Sequence, residues 1–163
     1  MQILPRDMTS HGLEPFELVD VKPDPHSAPC PGPWRHKIAI DVIHDGCDIP
    51  KNFLRRKNGG QIWSGSTLPR AFVRERDWGA ELLAGKVASA LHIPHYFRIN
   101  TARVLLDFGR FPGITSRAAD HMNRFAINYP FSAYLSHEHK RELLTAYYDR
   151  ISEGMETYLE GKH

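Results

Sequence analysis

Residues 37–46 read KIAIDVIHDG, a short apolar run rich in β-branched residues that breaks off at a histidine, an aspartate and a glycine. Branched side chains pack well on a pleated surface, so the run suits a buried β-strand, and its polar end is turn chemistry. A strand is therefore expected over 37–43, carrying His44 to its end, where a polar residue can face a cleft. Whether it sits in a layered α/β sheet depends on what flanks it.

Upstream, residues 1–36 carry Pro5, Pro15, Pro23, Pro25, Pro29, Pro31 and Pro33. Each lacks a backbone donor and restricts its predecessor, so neither helix nor central strand runs far there. The stretch reads as a Pro-rich N-terminal arm preceding an α/β domain over 37–163. Downstream, Gly46, Pro50, Gly59, Gly60, Gly65 and Pro69 mark residues 45–74 as a long loop, functional or mobile. Over 77–92, Trp78, Leu82, Leu83, Val87 and Leu91 recur at helical spacing, with Glu75 and Asp77 at the start and Pro94 past the end.

Two extended candidates follow, His95–Ile99 and residues 102–108 (ARVLLDF), the second closing on the turn-like GRFPG of 109–113. Ser136 is placed to cap a helix whose Leu144, Tyr148, Ile151, Met155 and Tyr158 step by four and three, ending near Gly161. The order strand, loop, helix, strand, helix predicts α/β layering without internal repeats.

A chain of 163 residues holds one ordinary core, and 41% hydrophobic with 25% charged residues excludes wholesale disorder. The net charge of +2 gives no large basic excess, which argues against nucleic acid as a partner. Cys30 and Cys47 form no Cys-x-x-Cys pair and no multi-bridge scaffold. No apolar run of signal-peptide or membrane-span length is present, so no membrane partner and a cytoplasmic location are expected.

Polar residues end apolar elements at three places: His44, the Glu75/Asp77 pair, and Asp107 with Arg110. In an open α/β sheet the carboxyl ends of strands line the ligand crevice, where these groups can converge. An imidazole and a carboxylate from separate loops are suitable zinc ligands. Arg110 can offer its guanidinium fork to a substrate carboxylate, or simply pair with Asp107. Arg103 can reach a polarised carbonyl, or face solvent. Each group also has a plain structural reading: a hydrogen-bonded turn histidine at His44, and dipole-offsetting acids at Glu75 and Asp77. His137 and His139 stand two apart on a helix and point apart, and His92 and His95 bracket Pro94, so all four read as structural or solvent-facing.

At these same places the chain resembles the N-formylglutamate amidohydrolase family, zinc-dependent amide hydrolases related to aspartoacylases and carboxypeptidases. The family's Pro-His-(Ser/Ala)-Gly and following Ile-Pro are similar to Ile43-His44-Asp45-Gly46 and Ile49-Pro50. Its Asp-Thr-Asp-Trp resembles Glu75-Arg76-Asp77-Trp78, and its Ser-Arg-x-Val-Val-Asp-Leu-Asn-Arg-Pro resembles residues 102–110, with Pro112 one place late. The resemblance implies an α/β three-layer sandwich with a mostly parallel or mixed sheet, phosphorylase/hydrolase-like. It further implies that His44 and Glu75 or Asp77 bind zinc, Arg103 acts at the scissile carbonyl, and Arg110, with Asp107, binds a small-molecule N-acyl amino acid.

Three departures accompany it. Gly109 stands where the family has asparagine, Asp149-Arg150-Ile151 stands where Pro-Tyr-His is expected, and the strand bearing the family's third zinc ligand has no counterpart before His163. The chain is thus expected to lack the family's C-terminal part. A third ligand is then sought at His121, His137, His139 or His163, in a homo-oligomer, or in a complementing chain. The competing reading is a non-catalytic amidohydrolase-like binding protein.

Overall fold

The computed structural model of this protein describes residues 7–8, 14–30, 32, 34–62, 67–110 and 125–162. Its elements run β1 (Asp7–Met8), β2 (Phe16–Asp20), α1 (Trp34–Lys37), β3 (Asp41–Val42), β4 (Ile49–Pro50), a 3₁₀ turn (Lys51–Leu54), α2 (Thr67–Glu75), α3 (Ala80–Ala90), β5 (His95–Ile99), α4 (Phe131–Tyr134), α5 (His137–Leu143), a π-helical stretch (Leu144–Asp149) and α6 (Arg150–Glu160). The fold is α/β with a small mixed sheet. Its three strands lie in the order β2-β5-β3, with β3 parallel and β2 antiparallel to β5, and β1 pairs separately with β4.

Strand alternation explains how β5 divides the core. Successive side chains point to opposite faces. Tyr96 packs with Val42, Ala84 and Ala88 on the α3 side, and the next residue, Phe97, packs with Ile151 and Tyr158 of α6. Phe97 also stacks on Phe16 at 4.9 Å between ring centroids. Gly154 of α6 makes room for that ring, because a Cβ there would lie 2.3 Å from Phe16 Cζ.

The strand expected over 37–43 is shorter than its sequence suggests. Trp34–Lys37 is a helical turn and only Asp41–Val42 pairs as a strand. The Ile40 amide donates to the Tyr158 hydroxyl at 3.1 Å, which takes that residue's donor out of the ladder. Within the Pro-rich stretch, Phe16–Asp20 forms an edge strand, where proline-flanked chain is tolerated.

The long loop expected over 45–74 contains β4, the 3₁₀ turn and α2, which buries Leu68, Ala71 and Phe72. Those three positions follow the i, i+3, i+4 spacing of a helical face. The helix expected over 77–92 spans Ala80–Ala90, and its buried residues are Ala84 and Ala88. The larger residues Trp78, Leu82, Leu83 and Val87 are exposed, 69% for Leu82. Small inward residues let α3 lie close on the sheet.

His95–Ile99 is a strand as expected, but 102–108 is not. Its chain turns, with the amides of Leu105 and Leu106 donating to the Ala102 carbonyl at 2.9 and 3.1 Å. Ser136 caps the last long helical segment, its hydroxyl accepting from the His139 amide at 3.1 Å. Leu144, Ile151 and Tyr158 are buried along it as the spacing predicts. Among the described residues no helix is long and apolar enough to cross a membrane.

Candidate functional site

β3 and β5 are parallel neighbours, so the chain leaves both at the same edge of the sheet. The turn after β3 crosses the end of β5 so closely that a Cβ on Gly46 would lie 2.5 Å from the carbonyl oxygens of Ile99 and Thr101. Only glycine fits there. The Asp48 amide then donates to the Asn100 carbonyl and the Ala102 amide to the Asp48 carbonyl, both at 2.9 Å. These hydrogen bonds set His44, after β3, against the 103–110 turn, after β5.

Two carboxylates meet the His44 ring, and two arginines meet those carboxylates, so that five side chains form one cluster. Nε2 lies 2.9 Å from Asp107 Oδ1, and Nδ1 lies 3.2 Å from Asp77 Oδ2. Asp77 is brought there by its own backbone, whose amide donates to the His44 carbonyl at 3.0 Å. Arg103 Nε donates to Asp107 Oδ2 and its Nη1 to Asp77 Oδ1, each at 3.2 Å. Arg110 Nε pairs with Asp107 Oδ2 at 3.0 Å. The turn at 103–107 makes this possible, because an extended strand would hold those two residues roughly 13 Å apart.

Asp107 is the hub. Its side chain is 2% exposed, whereas that of Asp77 is 53% exposed. Burial works to raise the Asp107 pKa, but the hydrogen bond and charge of His44, with the Arg103 guanidinium, outweigh it and hold the carboxyl at about 2. The Gly109 amide also donates to Asp107 Oδ1, at 3.1 Å. A Cβ on Gly109 would sit 3.3 Å from that oxygen and 3.5 Å from His44 Nε2. The glycine therefore fits closely over the pair, at the position where the resemblance calls for an asparagine donor.

Of the two acids nominated from sequence, only Asp77 joins the cluster through its side chain. The Glu75 carboxylate pairs with Arg74, whose Nε donates at 2.9 Å, and Glu75 contributes its carbonyl, which accepts from Arg103 Nη1 at 3.3 Å. Neither acid caps α3. Asp45, buried on the other side of the turn, does so from a distance, accepting from the Glu81 amide at 2.9 Å and from Arg76 Nε at 2.6 Å. The Asp107–Arg110 ion pair, the plainer reading of those two residues, is present.

Two further residues complete the surroundings. Asn128, 7% exposed, accepts from Arg110 Nη1 through Oδ1 and donates through Nδ2 to the Arg103 carbonyl, both at 2.8 Å. The Tyr148 hydroxyl donates to the Arg110 carbonyl at 3.0 Å, and its ring packs on Phe108. Burial raises the Tyr148 pKa, which keeps it a donor. Tyr148 lies in the π-helical stretch, a feature that commonly redirects side chains at functional sites. No spacing in the sequence links Asn128 to the arginines. It arrives because Ile127 bridges Leu106 and the Asp107 amide donates to the Ala126 carbonyl at 2.7 Å.

For zinc, distance tests the donor set. Two ligands at about 2.05 Å on a tetrahedral ion stand about 3.3 Å apart. His44 Nδ1 and Asp77 Oδ2 are 3.2 Å apart, and the remaining ring nitrogen faces a carboxylate, the arrangement that orients histidine ligands. The pair thus fits two ligand positions. Among the described residues no group of three or more His, Cys, Asp or Glu side chains is disposed to hold a metal. His139 packs edge-on against Phe53, His137 is exposed, and His121 and His163 lie outside the described residues, as does the 111–113 part of the GRFPG turn.

His92 and His95 are structural: His92 Nε2 contacts Ser27 Oγ at 3.0 Å, tying the Pro-rich stretch to the end of α3, and His95 Nδ1 contacts Asp20 at 3.1 Å. A groove of about 660 Å³ runs between residues 19–22 and α3, floored by Tyr96, and its lining includes none of the five clustered residues. Compared with protein-family models, curated proteins and solved structures, the chain matches none of them.

Proposed function

We propose that this chain carries the site of a zinc-dependent amide hydrolase acting on a small N-acyl amino acid such as N-formylglutamate, within a three-layer α/β sandwich. The observation that carries this reading is the meeting of His44, Asp77, Arg103, Asp107 and Arg110 at the ends of two parallel strands. His44 Nδ1 and Asp77 hold the metal, which when bound supplies Lewis acidity at the amide carbonyl and a more acidic water. Helices on both faces of the sheet support the layered architecture.

The residues divide the remaining work. Asp107 accepts from Nε2 of His44 and so fixes which ring nitrogen keeps its lone pair for the metal. Arg103, held by Asp107, Asp77 and the Glu75 carbonyl, is the more constrained guanidinium and suits the carbonyl oxygen, where charge develops during attack. Arg110 has only Asp107 and Asn128 as side-chain partners among the described residues, so N–H groups remain for a substrate carboxylate. Water adds to the acyl carbon, the C–N bond breaks, and the products are a carboxylic acid and an amine.

Incubation of the purified protein with zinc and N-formylglutamate tests this. Bound metal together with formate and glutamate is the expected result, and neither metal nor product overturns it. A second reading, a non-catalytic binding protein, is favoured by one observation: both nitrogens of His44 already face carboxylates. Metal bound with unchanged stoichiometry after His44→Ala would remove the metal site as drawn.

A further inference from the structure

We infer that Asn128 is a positioning residue that holds the Arg110 guanidinium aimed for an anionic group, so that Arg110 selects substrates with a free carboxylate over their neutral analogues. This inference rests on the hydrolase reading above for its substrate, and on geometry alone for the residue.

The geometry begins with what each end of the side chain meets. Oδ1 takes a hydrogen bond from the Arg110 guanidinium, and Nδ2 gives one to the Arg103 carbonyl, both at 2.8 Å. The reverse amide orientation would set a donor against a donor and an acceptor against an acceptor, so only one is compatible with these neighbours. The side chain is buried and its backbone is also engaged, the amide donating to the Leu105 carbonyl at 3.4 Å and the carbonyl accepting from the Ser132 amide at 2.8 Å. Asn128 therefore links the guanidinium assigned to the carboxylate with the backbone of the arginine assigned to the carbonyl.

A neutral amide is the side chain that does both. Aspartate at 128 would still accept from Arg110, but it would add a second carboxylate beside that cation and face the Arg103 carbonyl with an acceptor. Arg110 already pairs with Asp107, itself shared with Arg103 and His44. One more carboxylate would leave little positive potential for a ligand. Asparagine anchors the guanidinium without cancelling it.

Steady-state hydrolysis of N-formylglutamate and of its neutral diamide is to be compared for the zinc-loaded wild type, Asn128→Asp, Asn128→Ser and Arg110→Lys. The last keeps the charge but removes the planar hold between Asp107 and Asn128, and its side chain is partly exposed, so it reports on the same interaction should position 128 tolerate no change. The expected result is a rise of about tenfold in KM for the acid, with KM for the diamide unchanged, so that the preference for the acid falls. Folded variants that retain the wild-type preference would overturn the inference while leaving the hydrolase reading intact.

Calorimetric titration with glutarate separates the opposite case. If the wild type hydrolyses nothing yet binds glutarate, and Asn128→Asp or Asn128→Ser weakens that binding about tenfold, the inference stands and the hydrolase reading falls. Absence of glutarate binding in a wild type without hydrolysis, or equal affinity in all variants, overturns the inference.

Discussion

Asp107 Oδ1 lies 2.9 Å from His44 Nε2 across 63 positions of chain, and that hydrogen bond joins the segments that follow two parallel strands. Around it the same buried carboxylate receives two guanidinium groups and a backbone amide. The pairing is structural and chemical together: it fixes the imidazole and balances the arginines.

Asp107→Ala leaves His44, Arg103 and Arg110 without their shared acceptor in a largely water-excluded position. Removing one partner of a buried charge cluster costs about 3–5 kcal/mol. Urea unfolding at neutral pH in the presence of a chelator should show a loss of that size, and a loss below about 1 kcal/mol would mean that solvent replaces the carboxylate.

Acid should expose the same group in the wild type. The folded pKa of Asp107, about 2, lies below its ordinary value of 3.8, so its contribution is fully present above the unfolded value and disappears as pH falls through the folded one. That contribution is about 2 kcal/mol, lost between roughly pH 4 and pH 2. Unfolding free energies of the metal-free protein across that range should fall more steeply for the wild type than for Asp107→Asn.

The two acids of the 75–77 stretch should separate cleanly. Asp77 faces His44 Nδ1 whereas the Glu75 carboxylate faces Arg74. Asp77→Asn is expected to lower zinc affinity by at least about tenfold, since affinity depends on ligand charge and number, and Glu75→Gln to leave it unchanged. Equilibrium dialysis followed by metal analysis reads both.

Gly46→Ala tests the close crossing that assembles the site. The new Cβ would lie 2.5–2.6 Å from three backbone carbonyl oxygens, none on a flexible side chain. A destabilisation of about 3 kcal/mol is expected, with the His44–Asp107 hydrogen bond breaking before the rest of the fold opens. Denaturant midpoints and the His44 imidazole NMR signals would register the two effects.

On α3 the order of sensitivity should run against side-chain size. Ala88→Leu inserts bulk where the helix meets Tyr96 and Val42, costing about 1–3 kcal/mol, whereas Leu83→Gln on the exposed face should change stability by less than about 0.5 kcal/mol. Equal losses in thermal unfolding would show that Leu83 is covered in solution.

The α3 comparison also marks the limit of periodicity. Spacing found the helix and, near the C-terminus, found the buried stripe of Leu144, Ile151 and Tyr158 as well. Around α3 it chose the wrong face, because hydrophobic size says which residues can be buried and not how near the sheet lies. Residues 102–108 look extended because they are apolar and branched, yet their burial is achieved by a turn, which local composition does not distinguish from a strand.

By itself the sequence determined the candidate chemistry: a histidine, three acids and two arginines, all but Arg103 at the end of an apolar segment, and an α/β order of elements. Only the tertiary structure decided that Asp77 and not Glu75 turns to the imidazole, that Asp107 is shared by three side chains and a backbone amide, and that Asn128 joins them. The reason is physical. Residue type and spacing constrain neighbours within a few positions, whereas these interactions depend on two parallel strands ending together and on a glycine that lets their turns touch.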